Sequence, residues 1–409
     1  MRRVAVTGMG VVSPLGTGVD AFFDSLAAGR SGVRRLEAPF AGRLSMRVAA
    51  PCDFDGAAHF AAPRLRMLDR VSQMALVAAG EAVAQSLEAT KSVAADRAGV
   101  FVGVGLGGPE STDEGYRTLY AEGSNRIKPY SVLMAMANAP AAWIGLDHGL
   151  QGPSLTYSTA CSSSAVAIGE AARRIARGEA DVMVAGGAEA PLTLGTMKAW
   201  EALKTLATED PADPSATCKP FSKDRSGLVL GEGAAMVVLE DAELARARGA
   251  PILAEVAGYG LCTDASHITR PSVEGQARAM RLALDDARLV PADLGYVNAH
   301  GTGTGANDAV ETAALRQVFG ARADATPVSS TKSMHGHLLG AAGALEFIAC
   351  VMAMRRGVLP PTMHLANPDP ECDLDYVPNA ARAAPGLACV MTSSFAFGGT
   401  NAVLICKAP

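Results

Sequence analysis

Tyr157-Ser158-Thr159-Ala160-Cys161-Ser162-Ser163-Ser164 joins a polar turn to the run Ala165-Val166-Ala167-Ile168-Gly169-Glu170-Ala171-Ala172-Arg173-Arg174-Ile175-Ala176. Ala165, Ile168, Ala172 and Ile175 recur at helical spacing, which predicts a buried helix with Cys161 at or just before its first turn. Unpaired N–H groups and the positive end of the helix dipole would favour thiolate over thiol there, making the sulfur a nucleophile. The stretch alone equally allows a small buried hydrophobe, as free cysteines often are. The rest of the chain has to decide between the two.

The surrounding composition is that of a globular protein. The 409 residues are 49% hydrophobic and 19% charged, enough for two or three domains or one large duplicated one. A net charge of -5 gives no overall nucleic-acid footprint. The eight cysteines are scattered, with neither a C-x-x-C pair nor zinc spacing. Several, such as Cys350 and Cys406, lie in apolar runs, which predicts reduced core residues of a cytoplasmic protein and no metal site. No run approaches the ~20 apolar residues of a membrane span. Met1-Arg2-Arg3 leads into a first strand, Val4-Ala5-Val6-Thr7-Gly8, rather than a secretory signal.

Strands and helices alternate from there. Short and long helices are expected over 20–28 and 66–89, then a strand over 98–104. The turn after it, Gly103-Val104-Gly105-Leu106-Gly107-Gly108, matches the dinucleotide pattern G-x-G-x-x-G. Pro109 and a polar stretch follow, so no clean helix is expected and a nucleotide site is disfavoured. Strands end at Glu189 and Glu240, on either side of a loop-rich insertion over about 191–226. From about 251 the order restarts: strand 252–260, helix 273–288, strand 296–299 and helix 341–356. The repeat predicts two similar α/β halves, 1–250 and 251–409, with mostly parallel sheets covered on both faces. Ligands gather where strand ends meet helix starts, so partners of Cys161 belong in the turns of the second half.

Those turns carry His300-Gly301-Thr302-Gly303-Thr304 and Lys332-Ser333-Met334-His335-Gly336-His337. A lone histidine is usually structural, but histidines at two equivalent turns opposite a helix-capping cysteine favour chemistry. One Cys, two His and a Lys suit acyl transfer through a thioester, with imidazole N–H groups stabilising an enolate oxygen. Asp308-Ala309-Val310-Glu311 reads most simply as a capping box. Glu346, inside an apolar helix, reads as a buried partner of Lys332. Phe395-Ala396-Phe397-Gly398-Gly399-Thr400-Asn401 is either core packing or a glycine-hinged gate.

Together, Thr159-Ala160-Cys161-Ser162-Ser163, His300-Gly301-Thr302-Gly303-Thr304, Lys332 through Gly343, and Phe397-Gly398-Gly399-Thr400-Asn401 resemble the β-ketoacyl-[acyl-carrier-protein] synthases. The likeness is to the elongating Cys-His-His type of the thiolase superfamily and covers essentially the whole chain. It implies a duplicated five-layer αβαβα fold, a homodimer, and decarboxylative Claisen condensation of malonyl-carrier protein with an acyl chain on Cys161. Fatty-acid elongation is expected, with a type II polyketide or aryl-polyene-like pathway as the alternative. A non-catalytic chain-length partner lacks the cysteine, and a thiolase would need a second one as base. By the resemblance, His300 and His337 bind and decarboxylate the malonyl group, Lys332 supports them with Glu346, and the N–H groups of Cys161 and Phe397 form the oxyanion hole. Phe397 is the gate, Thr302 and Thr304 contact the phosphopantetheine arm, and Leu106 borders the acyl pocket. Arg64, Arg66 and Arg70 are candidates for docking acyl carrier protein, or else a solvated helix face. No cofactor is expected to be permanently bound; the arm is a substrate carrier. His335 stands where the family commonly has threonine, crowding a third imidazole near His337. Ala396 replaces a frequent glycine and would stiffen the gate.

Overall fold

Buried apolar runs dominate the computed structural model, which describes residues 1–409. The main sheet path has ten strands, β1 (Val4–Ser13), β2 (Ala98–Gly103), β3 (Ser154–Tyr157), β4 (Val182–Glu189), β5 (Gly233–Asp241), β6 (Ala254–Thr263), β7 (Tyr296–Asn298), β8 (Val328–Ser329), β9 (Cys389–Phe395) and β10 (Thr400–Lys407), of which the edge strand β3 alone has no buried residue. Their lateral order is β3-β2-β4-β5-β1-β6-β10-β9-β7-β8. Outward from the β1–β6 junction, the first half reads β1-β5-β4-β2-β3 and the second β6-β10-β9-β7-β8, the same order twice. The two half-sheets are laddered to each other only where Val4–Val6 meets 254–256. The expected parallel sheets are mixed. β2 runs parallel to β3 and β4, and β7 to β8 and β9. β5 and β10 run against both their neighbours. For β10 the reason is its connection: the few residues from Ala396 to Gly399 can return the chain only as a hairpin.

Helices fill three layers around these half-sheets. α1 (Arg70–Gln85) and α3 (Ala139–His148) cover one outer face, while α5 (Val273–Ala287) and α6 (Asp308–Phe319) cover the other. α2 (Pro109–Tyr116) follows β2. α4 (Ser163–Ala176) and α7 (Ala342–Arg356) lie between the half-sheets and share the largest core, 47 buried residues. Every residue of α7 from Ala342 to Ala353 is buried, as an all-round apolar helix requires. This is the five-layer αβαβα arrangement. It sets the starts of α4 and α7, and hence Cys161 and His337, face to face.

Three local expectations change. The helix expected over 66–89 is a short turn, Ala62–Leu65, followed by α1: the Asp69 side chain accepts the Val71 N–H and starts a new helix. Leu87 and Glu88, both with positive φ, lie beyond its end. A helix does open after the glycine turn, with Pro109 at its first position, where the missing N–H costs nothing. The 191–226 insertion contains one α-helix, Leu194–Leu203, and a short 3-10 turn, Pro214–Ala216. No helix is long and apolar enough to cross a membrane.

Candidate active site

Cys161 sits in a single 3-10 turn that runs directly into α4. Two serines hold that turn through three hydrogen bonds. Ser162 Oγ donates to Thr159 O at 2.8 Å, Ser163 Oγ donates to Ala160 O at 2.6 Å, and Thr159 N–H donates to Ser163 Oγ at 2.9 Å. Ala160 has φ 51°, the left-handed region, so the chain bends sharply just before the nucleophile. Gly103, at the end of β2, is packed so close to this turn that a Cβ there would lie 2.2 Å from Ser164 N.

From the second half, His337 Nε2 lies 3.0 Å from Cys161 Sγ. Its Nδ1 accepts the Leu339 N–H at 3.2 Å. The Nδ1 of His300 faces Lys332 Nζ at 3.4 Å, and Lys332 in turn pairs with Glu346, both completely buried. An ammonium has only protons to give, so His300 Nδ1 is an acceptor too. These partners assign the proton of both imidazoles to Nε2, the nitrogen facing the cleft. The rings stand edge to face at 5.3 Å. The sulfur and two imidazole nitrogens all lie within 4.8 Å, close enough for a metal ion. A neutral imidazole ligates through its bare nitrogen, and here both Nδ1 atoms are already engaged, by Leu339 N–H and by Lys332.

Burial, then the Lys332 charge, holds His300 and His337 well below the ordinary imidazole value, so both are neutral. Burial raises Glu346 to about 7, with Lys332 pulling the other way. It also pushes the Cys161 thiol up to about 12, against the Lys332 charge and the N–H groups of Phe397 and Cys161 that face the sulfur. The expected ready thiolate is therefore not the resting form: with Cys161 only 6% exposed, desolvation outweighs the helix terminus.

Three buried carboxylates that the sequence reading did not assign to the site hold these turns. Glu311 accepts the N–H groups of His300 (2.7 Å) and Gly301 (2.8 Å). Asp308 accepts those of Thr302 (3.1 Å), Gly303 (3.2 Å) and Phe221 (2.8 Å). The capping-box reading fails because both side chains reach back to the preceding turn; Asn307 is the residue before α6 and makes no side-chain cap. Glu189, at the end of β4, accepts the N–H groups of Gly105 (2.7 Å), Leu106 (3.1 Å) and Gly340 (2.9 Å), tying the two halves together. The carboxylate thus fills the position a phosphate would take in the G-x-G-x-x-G turn.

Two family profiles match this chain: "Beta-ketoacyl synthase, N-terminal domain" over residues 1–245 and "Beta-ketoacyl synthase, C-terminal domain" over 253–366. The chain belongs to the β-ketoacyl synthase family. It is 47% identical over 406 residues to Nodulation protein E of Rhizobium meliloti (strain 1021), covering 99% of each chain. It is 40% identical over 409 residues to 3-oxoacyl-[acyl-carrier-protein] synthase 2 of Staphylococcus aureus (strain COL), covering 99% of this chain and 98% of the other. A solved structure of a type II PKS acyl-carrier protein in complex with its ketosynthase, AntDE:AntF, superposes with a TM-score of 0.92 at 32% identity, covering 100% of both chains.

The remaining candidates of this synthase divide into those at the cleft and those away from it. A cleft is lined by Cys161, His300, His337, Thr302, Thr304 and Phe397, among others. The hydroxyls of Thr302 and Thr304 lie 2.9 Å apart on its wall. Leu106 is 46% exposed on the first-half turn. The Arg cluster does not act as one patch. Arg64 is paired with Asp147 and lies over the Phe60 and Trp143 rings, each at 5.5 Å. Arg70 is bound to Glu232 and to the carbonyls of Cys52 and Phe54. Only Arg66 is exposed without an ion-pair partner. His335 turns away from the sulfur: Nδ1 bonds Gly336 O at 2.8 Å and Nε2 bonds Thr331 Oγ1 at 2.9 Å, so the third imidazole is structural. Trp200, which the sequence did not single out, stacks on Phe397.

Proposed function

We propose that this synthase, an acyltransferase, condenses malonyl-carrier protein with an acyl chain held on Cys161, extending it by two carbons with loss of carbon dioxide. In loading, Cys161 Sγ attacks the carrier thioester. The S–acyl bond forms, the pantetheine sulfur leaves with the Cys161 proton, and the N–H groups of Cys161 and Phe397 hold the oxyanion. The malonyl thioester then occupies the cleft with its carbonyl oxygen on the Nε2–H groups of His300 and His337. Carbon dioxide leaves, the electron pair forms an enolate that these donors stabilise, and its carbon attacks the acyl group. The Cys161 thiolate departs and is reprotonated from solvent.

Lys332 keeps His300 in the donating tautomer, and Glu346 neutralises the buried ammonium. Thr302 and Thr304 offer hydroxyls to the phosphopantetheine arm, Phe397 gates the cleft, and Leu106 borders the acyl pocket. Exposed apolar Leu106, Val132, Leu133, Met136 and Leu155, the last on edge strand β3, support a homodimer through that face. Of the three arginines, Arg66 is the one free to meet an acidic carrier protein. The observation that carries the reading is the pair of cleft-lining imidazoles whose Nδ1 atoms are both engaged, with His337 Nε2 3.0 Å from Cys161 Sγ. Incubation with acyl-carrier and labelled malonyl-carrier protein should add the acyl mass to Cys161, release labelled carbon dioxide and yield a product two carbons longer. Fatty-acid elongation predicts turnover across a homologous series of saturated primers. A polyketide pathway predicts unreduced poly-β-keto products. Acylation without carbon dioxide release would contradict the condensation.

A further inference from the structure

Phe397 lies on the β9–β10 hairpin, immediately before Gly398 (φ 86°) and Gly399 (φ 77°). That backbone is easily re-aimed, and the Phe397 ring is half-buried. Across the cleft mouth the Trp200 indole stacks on it, with centroids 5.9 Å apart and planes 24° from parallel. The two rings are held very differently. Trp200 belongs to the Leu194–Leu203 helix and packs on a buried cluster that includes Met197, Leu228, Leu230 and Leu339. Leu339 is two residues from His337, so the indole is referenced to the catalytic turn itself. Both rings line the cleft that ends at Cys161.

We infer that Trp200 is a positioning residue: its anchored indole latches Phe397 across the Cys161 sulfur, and entry of an acyl group breaks the stack. This deepens the site reading above and rests on Phe397 being the gate. With the latch closed, Cys161 is buried and held as a thiol. With it open, water and the carrier thioester reach the sulfur. The latch therefore delays exposure of Cys161 until a substrate displaces Phe397, and the stack stays open while the acyl chain is held.

Trp143 and Trp200 are the only tryptophans of the chain, so the stack can be read optically. Octanoyl-acyl carrier protein is the probe, with acylation of Cys161 followed by mass spectrometry in the same samples. Tryptophan emission should change in step with acylation in the wild type, and the change should vanish in Trp200→Phe, which keeps a ring in place but removes the indole. Removing the stack in Trp200→Leu should raise the rate of Cys161 alkylation by iodoacetamide about 2- to 10-fold, the range expected for one aromatic pair. Full acylation with constant emission would overturn the latch and leave the gate intact. So would faster alkylation in Phe397→Ala with none in Trp200→Leu. Unchanged alkylation in both variants would overturn the gate, and the latch with it.

Discussion

The turns that leave the equivalent strands β2 and β7 are built alike and serve different ends. In the first half, Glu189 gathers the N–H groups of Gly105 and Leu106 and reaches across to Gly340. In the second, Glu311 and Asp308 gather those of His300, Gly301, Thr302 and Gly303. Both turns are nests of amides that could hold an anion, and in both the protein supplies its own. Burial raises Glu189 and Glu311 to about 7, a cost opposed by these hydrogen bonds. The first turn presents an exposed Leu106, the second a buried His300 backed by the Lys332–Glu346 pair. The duplicated fold thus provides two rigid turns, and side-chain choice leaves an exposed leucine on one and a buried imidazole on the other; in the proposed reaction the first borders the acyl pocket and the second donates a hydrogen bond to the enolate.

The largest effect should come from breaking the support that only the second turn has. Lys332→Met leaves Glu346 alone in the core and should cost about 3–5 kcal/mol, read as a lower urea midpoint. Lys332→Met with Glu346→Leu should recover most of that stability without recovering decarboxylation, because His300 Nδ1 still lacks its donor. Recovery of both would mean that the pair acts only through folding.

Next in size is a direct contrast of the two carboxylates. Glu311→Gln should loosen His300 and lower decarboxylation by about 10²-fold, the scale of a small misplacement of a catalytic group. Glu189→Gln should instead alter the ratio of long to short primers loaded on Cys161, with a several-fold effect. Identical profiles for the two variants would remove the distinction between the turns.

The smallest predicted change per step concerns Cys161 in the closed site. Because burial raises its thiol to about 12, the thiolate fraction grows with pH throughout the accessible range. Iodoacetamide alkylation should rise about tenfold per pH unit from 7 to 9 with no plateau. A plateau below pH 8 would show a preformed thiolate.

What the sequence disclosed and what it withheld follow from distance along the chain. Period and turn chemistry sufficed for the Cys161 turn leading into α4 and for the repeated order of elements, because both are local or repeat. The repeated order also pointed to the second-half turns that carry His300, Lys332 and His337 as partners of Cys161, the resemblance added a role for each, and the geometry brings them together. The carboxylates escaped notice because their partners lie elsewhere: Glu189 serves residues 84 and 151 positions away. Asp308 and Glu311 have the spacing of a helix start, and nothing local reveals that they reach back to a preceding turn. Pro109 reads as a breaker in sequence although it stands where a helix tolerates it best. Arg64 and Arg70 look free in sequence because Asp147 and Glu232 are 83 and 162 residues away.

The central claim is a division of labour between a sulfur that holds the acyl chain and two imidazoles that hold the enolate. Labelled carbon dioxide release from malonyl-carrier protein, measured beside mass-detected acylation in Cys161→Ala and His337→Ala, tests it directly. Cys161→Ala should lose acyl loading and condensation yet still release carbon dioxide. His337→Ala should still load acyl groups while decarboxylation falls by about 10²–10³, the usual loss of one preorganised donor. Intact decarboxylation in His337→Ala with loading abolished would contradict the account.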